Sequence, residues 1–233
     1  GNLRSVVSGL IFAVVAQMSL SGWLAPLRDR LAALWITPGG RNVDLLGGLP
    51  ESTGLVIGLV IAVVALALAR RNRVGTRILF FGSGVGFAVA VGYVLTFGLS
   101  QLSFEPMQIE SATFTGPSAN TLMFFLDRNA MLLDFDIGLV PGVFLGSFLA
   151  SLFAREFAFQ GFQDADNMKR AIIGAALMGF GGMLAGGCAI GAGVTGGSIF
   201  VATAWAALTA MWAGAVVTDF LVDQPALRRT PAE

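Results

Sequence analysis

The chain has 233 residues, of which 55% are hydrophobic and 12% charged, and its mean hydropathy is +0.79. A soluble domain carries about 25% charged residues, so this composition excludes a water-facing globule and points to an integral membrane protein. There is no His and one Cys, and 14 basic residues balance 14 acidic ones. This excludes imidazole catalysis, a His-ligated or Cys-rich metal site, an internal disulfide framework and electrostatic attraction to nucleic acid. No cofactor and no nucleic-acid partner are expected.

A hydrocarbon core about 30 Å thick takes roughly 20 apolar residues of helix. The uncharged runs predict six spans, near residues 5–23, 54–69, 77–98, 137–154, 171–186 and 198–217. The runs are too long and too continuous for alternating barrel strands, so the expected fold is all-α. Between the first two spans, residues 24–36 (LAPLRDRLAALWI) read as a short amphipathic helix on the membrane interface. Next come Arg70, Arg71, Arg73 and Arg77 in a loop without acids, which the positive-inside rule puts in the cytoplasm. The loop after the third span carries Glu105 and Glu110 and suits the outer side.

Residues 118–130 (SANTLMFFLDRNA) are too few to cross. They read as a half-helix entered through the Gly116-Pro117 turn, with Ser118 as its N-cap and Asn120 in its first turn. Asp127, Arg128, Asp134 and Asp136 read as interface anchors at its far end. Met107, Met123, Met178, Met183 and Met211 could offer thioether sulfur, although core or lipid-facing filler is the commoner use of Met.

The longest uncharged run, residues 171–218, has 48 residues. As one helix it would measure about 72 Å, so the chain must turn or break inside the membrane. Within it, residues 174–197 contain ten glycines in twenty-four positions, around Cys188. Each Gly weakens a helix by about 1 kcal/mol relative to Ala. The expectation is a helix to about Gly187, an unwound turn over residues 187–191, and a new helix starting near Thr195. Broken helices point free N–H groups at anions. Close helix packing through small residues is the competing reading of the glycines. A thiol at the break is a weak donor with a polarisable sulfur, suited to a soft, sulfur-bearing ligand. No Lys or Arg lies between residues 171 and 218 apart from the segment's flanks, so an anion there would be held loosely, which favours passage.

Residues 179–193 (GFGGMLAGGCAIGAG), the following Thr195, Gly196, Gly197 and Ser198, and residues 113–120 (TFTGPSAN) resemble the YeeE/YedE family of membrane proteins. The resemblance implies a multi-pass protein of the bacterial inner membrane and uptake of a small sulfur-containing anion, thiosulfate above all. It also implies a pseudo-symmetric transporter of two repeats, each with a half-helix and a Gly-Cys turn. One complete repeat is visible, at about residues 82–217. Residues 1–5 look like the stretch that follows the first Gly-Cys turn, and residues 5–13 can be laid on 198–206. The expectation is therefore that the first repeat lies upstream of Gly1, with residues 1–75 ending that repeat, 76–218 forming the second, and 219–233 a polar tail.

Carried over by motif, Cys188 corresponds to the family's pathway cysteine, Gly187 and Gly191 to its turn, and residues 116–120 to the half-helix entry. Permeant contacts are expected at Cys188, Gly187, Ala189, Gly191, Thr195, Gly116, Ser118 and Asn120. The family's transfer runs through S–H···S contacts to successive cysteines, so further sulfurs would come from the absent repeat or from Met. Two alternatives stay open. One is a membrane sulfurtransferase using a Cys188 persulfide. The other is a scaffold that holds a cytoplasmic sulfur-carrier protein on the Arg70–Arg77 loop. A different sulfur or selenium compound could replace thiosulfate.

Overall fold

The computed structural model describes residues 3–34, 50, 52–102, 111–126, 135–158 and 165–223. Among these the chain is helical, with helices α1 (Leu3–Ser21), α2 (Ala25–Ala33), α3 (Ser52–Arg71), α4 (Thr76–Leu102), α5 (Thr115–Leu126), α6 (Phe135–Phe153), α7 (Ala165–Leu184) and α8 (Ala202–Thr218). Five of them are long and apolar enough to cross a membrane: α1, α3, α4, α6 and α8 with its extension to Leu221. The protein is an all-α, multi-pass membrane protein.

Large apolar side chains point outward, as lipid rather than water requires. Leu55, Phe80, Phe81 and Phe87 are each at least 70% exposed, and α3 has no buried residue. Apart from Phe12, Val89, Ile137 and Pro117, what is buried among the described residues is small or polar. On α1 the buried Phe12, Ala16 and Ser19 recur at helical spacing on one face. That face meets α7, where a Cβ on Gly179 would lie 2.8 Å from the carbonyl oxygen of Phe12. The small-residue packing weighed for the glycines is thus realised at Gly179, while Gly174 and Gly181 have open space around them.

Between α3 and α4 the chain turns in four residues. Arg73 takes a positive φ of 51°, and the N–H of Val74 donates to the carbonyl of Ala69 at 2.9 Å. Arg70, Arg71, Arg73 and Arg77 are all exposed around this turn. α2 has no buried residue and packs beside α1 and α7. Its first turn holds Pro26, where a missing N–H costs nothing.

The fifth expected span, residues 171–186, differs from the other five. Although α7 has 20 residues, Asp166, Lys169 and Arg170 occupy its start. The apolar part, residues 171–184, is about 21 Å long at 1.5 Å per residue, which falls short of the hydrocarbon thickness. The chain then breaks, resumes as a short helix over residues 189–198, breaks again at Phe200, and enters α8. The middle of the short helix, Gly191–Gly196, is wound as π-helix.

Candidate functional site

The first break is built by glycine chemistry. Gly186 has φ +76°, the left-handed conformation that side chains disfavour. The N–H of Gly187 reaches back to the carbonyl of Gly182 at 2.8 Å, and that of Gly186 to Met183 at 3.4 Å. This is the Schellman pattern, which closes the open carbonyls at the end of α7. The second break repeats it with a bulky residue. Phe200 has φ +55°, the N–H of Val201 donates to Gly196 at 3.3 Å and that of Phe200 to Gly197 at 3.2 Å. The expected unwound turn over residues 187–191 is therefore tighter, closing over 185–188, and helix resumes at residue 189 rather than near Thr195.

Cys188 begins that short helix and is half-buried. Its carbonyl accepts the N–H of Ala192 at 2.7 Å, and its Sγ accepts the N–H of Gly191 at 3.4 Å. The thiol thus takes the place usually held by a Ser or Asp oxygen at a helix start. Accepting at sulfur leaves the S–H free to donate elsewhere. Among the described residues, the N–H groups of Ala189 and Ile190 at the helix start donate to no backbone carbonyl of the preceding turn. Gly187 is buried, Gly191 half-buried and Ala189 exposed.

The segment before α5 lies across this turn. A Cβ added to Gly191 would stand 2.6 Å from Thr113 Oγ1, and one on Gly187 would stand 3.8 Å from it. A Cβ on Gly182 would stand 2.9 Å from Thr115 Oγ1. Three glycines of the Gly-rich run thus leave room for two threonines. Thr195 holds the arrangement from the π-helical segment, its Oγ1 donating to the carbonyl of Ala112 at 2.7 Å. The carbonyl of Thr195 accepts the Tyr93 hydroxyl of α4 at 2.9 Å. Ser111 Oγ donates to the Val89 carbonyl at 2.7 Å, in space left by Gly92.

The other residues expected on the half-helix turn elsewhere. α5 has 12 residues, about 18 Å of helix, so it is a half-helix as expected. It starts earlier than the expected cap, at Thr115. The N–H of Ser118 donates to the carbonyl of Phe114 at 3.0 Å, which makes Ser118 a residue of the first turn rather than its cap. Pro117, with no N–H to satisfy, fits the position between. Ser118 lines a cavity of about 540 Å³ between α1, α5 and α6, whose wall is otherwise largely apolar. Asn120 Nδ2 donates to Asp136 Oδ2 at 3.2 Å, and a Cβ on Gly116 would be 3.9 Å from that same oxygen. Asp136 therefore joins α6 to α5. Asp127, Arg128, Asp134 and Met107 lie outside the described residues.

Thr113, Thr115, Tyr93 and Ser111 were not among the expected contacts. The sequence does carry a signal for three of them. Hydroxyls recur at every second position in Ser111-Ala112-Thr113-Phe114-Thr115, the period of an extended segment. Tyr93 has no such signal, because a single Tyr in a long apolar helix reads as filler.

A family described as Sulphur transport matches residues 1–217 of the chain. The thiosulfate transporter TsuA of Escherichia coli strain K12 is 36% identical over 108 residues, which are 46% of this chain and 30% of the relative. The matched stretch thus spans under a third of that relative's length.

Proposed function

The chain belongs to the sulphur transport family, and from that premise we propose that it carries a small sulfur-containing anion, thiosulfate first, across the bacterial inner membrane. It does so without chemical conversion of the permeant. Cys188 touches the terminal sulfur, Gly187, Ala189 and Gly191 supply room and backbone N–H groups, and Thr195 keeps the turn in place. The observation that carries this reading is the thiol at the break between α7 and the short helix. Its Sγ is held by the Gly191 N–H, which leaves its S–H to donate to a soft acceptor.

The electrostatics suit passage rather than storage. No basic residue lies within residues 171–218, so the anion meets helix-start N–H dipoles and a weak S–H donor instead of a fixed cation. A permeant must enter and also leave. Gly116, Ser118 and Asn120 belong to the half-helix that borders the pathway; Asn120 fixes α5 against Asp136 of α6, and Ser118 faces the cavity beside α1. The exposed Arg70, Arg71, Arg73 and Arg77 offer a docking face for an acidic cytoplasmic sulfur-carrier protein, which would receive the intact permeant delivered inside.

Uptake of labelled thiosulfate tests the reading. Cys188→Ala, inserted at normal level, is expected to lower uptake at least tenfold. Cys188→Ser is expected to fail as well, because a hydroxyl is harder than a thiol. Normal uptake by both would end the proposal.

A further inference from the structure

A sulfur oxyanion of the thiosulfate kind has two unlike ends, a polarisable sulfur and a group of oxygens that accept hydrogen bonds. Cys188 suits the first end. For the second, the Gly-Cys turn has no cation, but it faces two threonine hydroxyls. Thr113 Oγ1 lies against Gly187 and Gly191, the glycines on either side of Cys188 in sequence, and Gly191 supplies the N–H that holds the thiol. Thr115 Oγ1 lies against Gly182, whose carbonyl receives the Gly187 N–H.

Neither hydroxyl has a hydrogen-bond partner among the described residues. Thr115 is 1% exposed and its Oγ1 is buried and unpaired, a costly condition for a hydroxyl. Thr113 is half-buried. The neighbouring hydroxyls behave differently: Ser111 and Thr195 both spend theirs on backbone carbonyls. The segment therefore keeps two donors uncommitted, aimed at the glycine strip that carries the thiol, and Thr113 is the one a guest can reach. Glycine at position 191 is what keeps that approach open, since a methyl group there would stand 2.6 Å from the Thr113 oxygen.

We propose that the Thr113 hydroxyl donates to the oxygen end of the permeant while Cys188 holds its sulfur end, so that the anion passes the turn in one orientation. The orientation rests on the reading of Cys188 as the sulfur contact; the oxygen contact at Thr113 stands by itself. Thr113 is then a specificity-determining residue, favouring permeants that carry both a soft sulfur and hydrogen-bond-accepting oxygens.

The test is concentration-dependent thiosulfate uptake by the full chain in proteoliposomes, comparing Thr113→Val, Thr113→Ser and Cys188→Ala. Val keeps the shape and removes the hydroxyl. The expected result is a KM raised at least fivefold in T113V with Vmax within twofold, and a KM within twofold of the parent in T113S. An unchanged KM in T113V, with uptake abolished in C188A, would overturn the Thr113 contact and leave the Cys188 reading intact. Normal uptake in C188A with a raised KM in T113V would do the reverse, removing the sulfur contact and with it the fixed orientation. Equal loss of Vmax in T113V and T113S without a KM change would mark Thr113 as packing only and overturn the proposal. Should T113V fail to insert, Thr113→Ala replaces it with the same KM criterion.

Discussion

Thr195 Oγ1 donates to the carbonyl of Ala112 at 2.7 Å, across 83 positions of sequence. This bond joins the π-helical segment after Cys188 to the irregular stretch that leads into α5. The Tyr93 hydroxyl closes on the Thr195 carbonyl from α4, so three separate parts of the chain meet at one residue. A bond of this kind is worth about 1 kcal/mol net, and more when its loss strands a buried partner.

Thr195→Val is therefore expected to lower stability by about 1–3 kcal/mol and to reduce uptake through loss of turn geometry. Tyr93→Phe removes a bond to the same residue and is expected to cost about 1 kcal/mol. Thermal unfolding in detergent, read beside uptake, measures both. Because the two changes share Thr195, the double variant should depart from additivity.

Gly191→Ala places its methyl 2.6 Å from Thr113 Oγ1. Overpacking of this kind costs about 1–3 kcal/mol. Adding Thr113→Ala removes the clashing oxygen and should restore part of the stability, which a double-mutant cycle in thermal unfolding would detect. An additive result would mean that the two positions do not touch.

Gly179 and Gly181 sit two residues apart in α7 with opposite expected responses. A Cβ on Gly179 meets the Phe12 backbone oxygen at 2.8 Å, an atom that cannot swing away. Gly179→Ala should push α1 from α7 and destabilise the protein by about 1–3 kcal/mol. Gly181→Ala meets nothing within 4 Å and should be neutral or add up to about 1 kcal/mol through helix propensity. Equal effects in thermal unfolding would contradict this account of the α1–α7 contact.

The two chain breaks use the same backbone conformation with different residues. Gly186 at φ +76° has open space around it, so Gly186→Ala isolates the backbone cost, about 1–2 kcal/mol. At the other break Phe200 already carries such strain at φ +55°. Phe200→Gly should relieve strain of the same order, set against the loss of the ring's contacts. Comparing Phe200→Gly with Phe200→Ala, which keeps the strain and loses the ring, separates the two effects: the Gly variant should unfold at the higher temperature.

How far the chain could be read from residues alone varies along it. The five long apolar helices were legible because each contains a long uncharged run, with charges only near its ends, and lipid asks little else of a helix. The break near Cys188 was legible in kind, since ten glycines in twenty-four residues cannot sustain one rod in the bilayer. Its position was not. The expected turn began at Gly187, whereas Gly186 is the residue that takes the positive φ, and among adjacent glycines the sequence offers nothing to choose between. The second break was hidden altogether, because Phe200 is not a residue that announces a left-handed turn. Ser118 was read as a cap because it follows Gly-Pro, yet the helix already begins at Thr115, where Pro117 occupies a position that needs no N–H.

By itself the sequence determined that this is a helical membrane protein, with a half-helix, a glycine-weakened segment and one thiol placed within it. Hydrophobic run length, charge spacing and glycine density are local quantities, and local quantities suffice for that. The tertiary structure decided what faces the thiol. The half-helix residues Gly116 and Asn120 turn to Asp136 and Ser118 to a cavity beside α1, while Thr113 and Thr115 come to lie on Gly191, Gly187 and Gly182. That pairing depends on close approach between segments some seventy residues apart, and close approach is a property of shape after folding, which no spacing along a chain encodes.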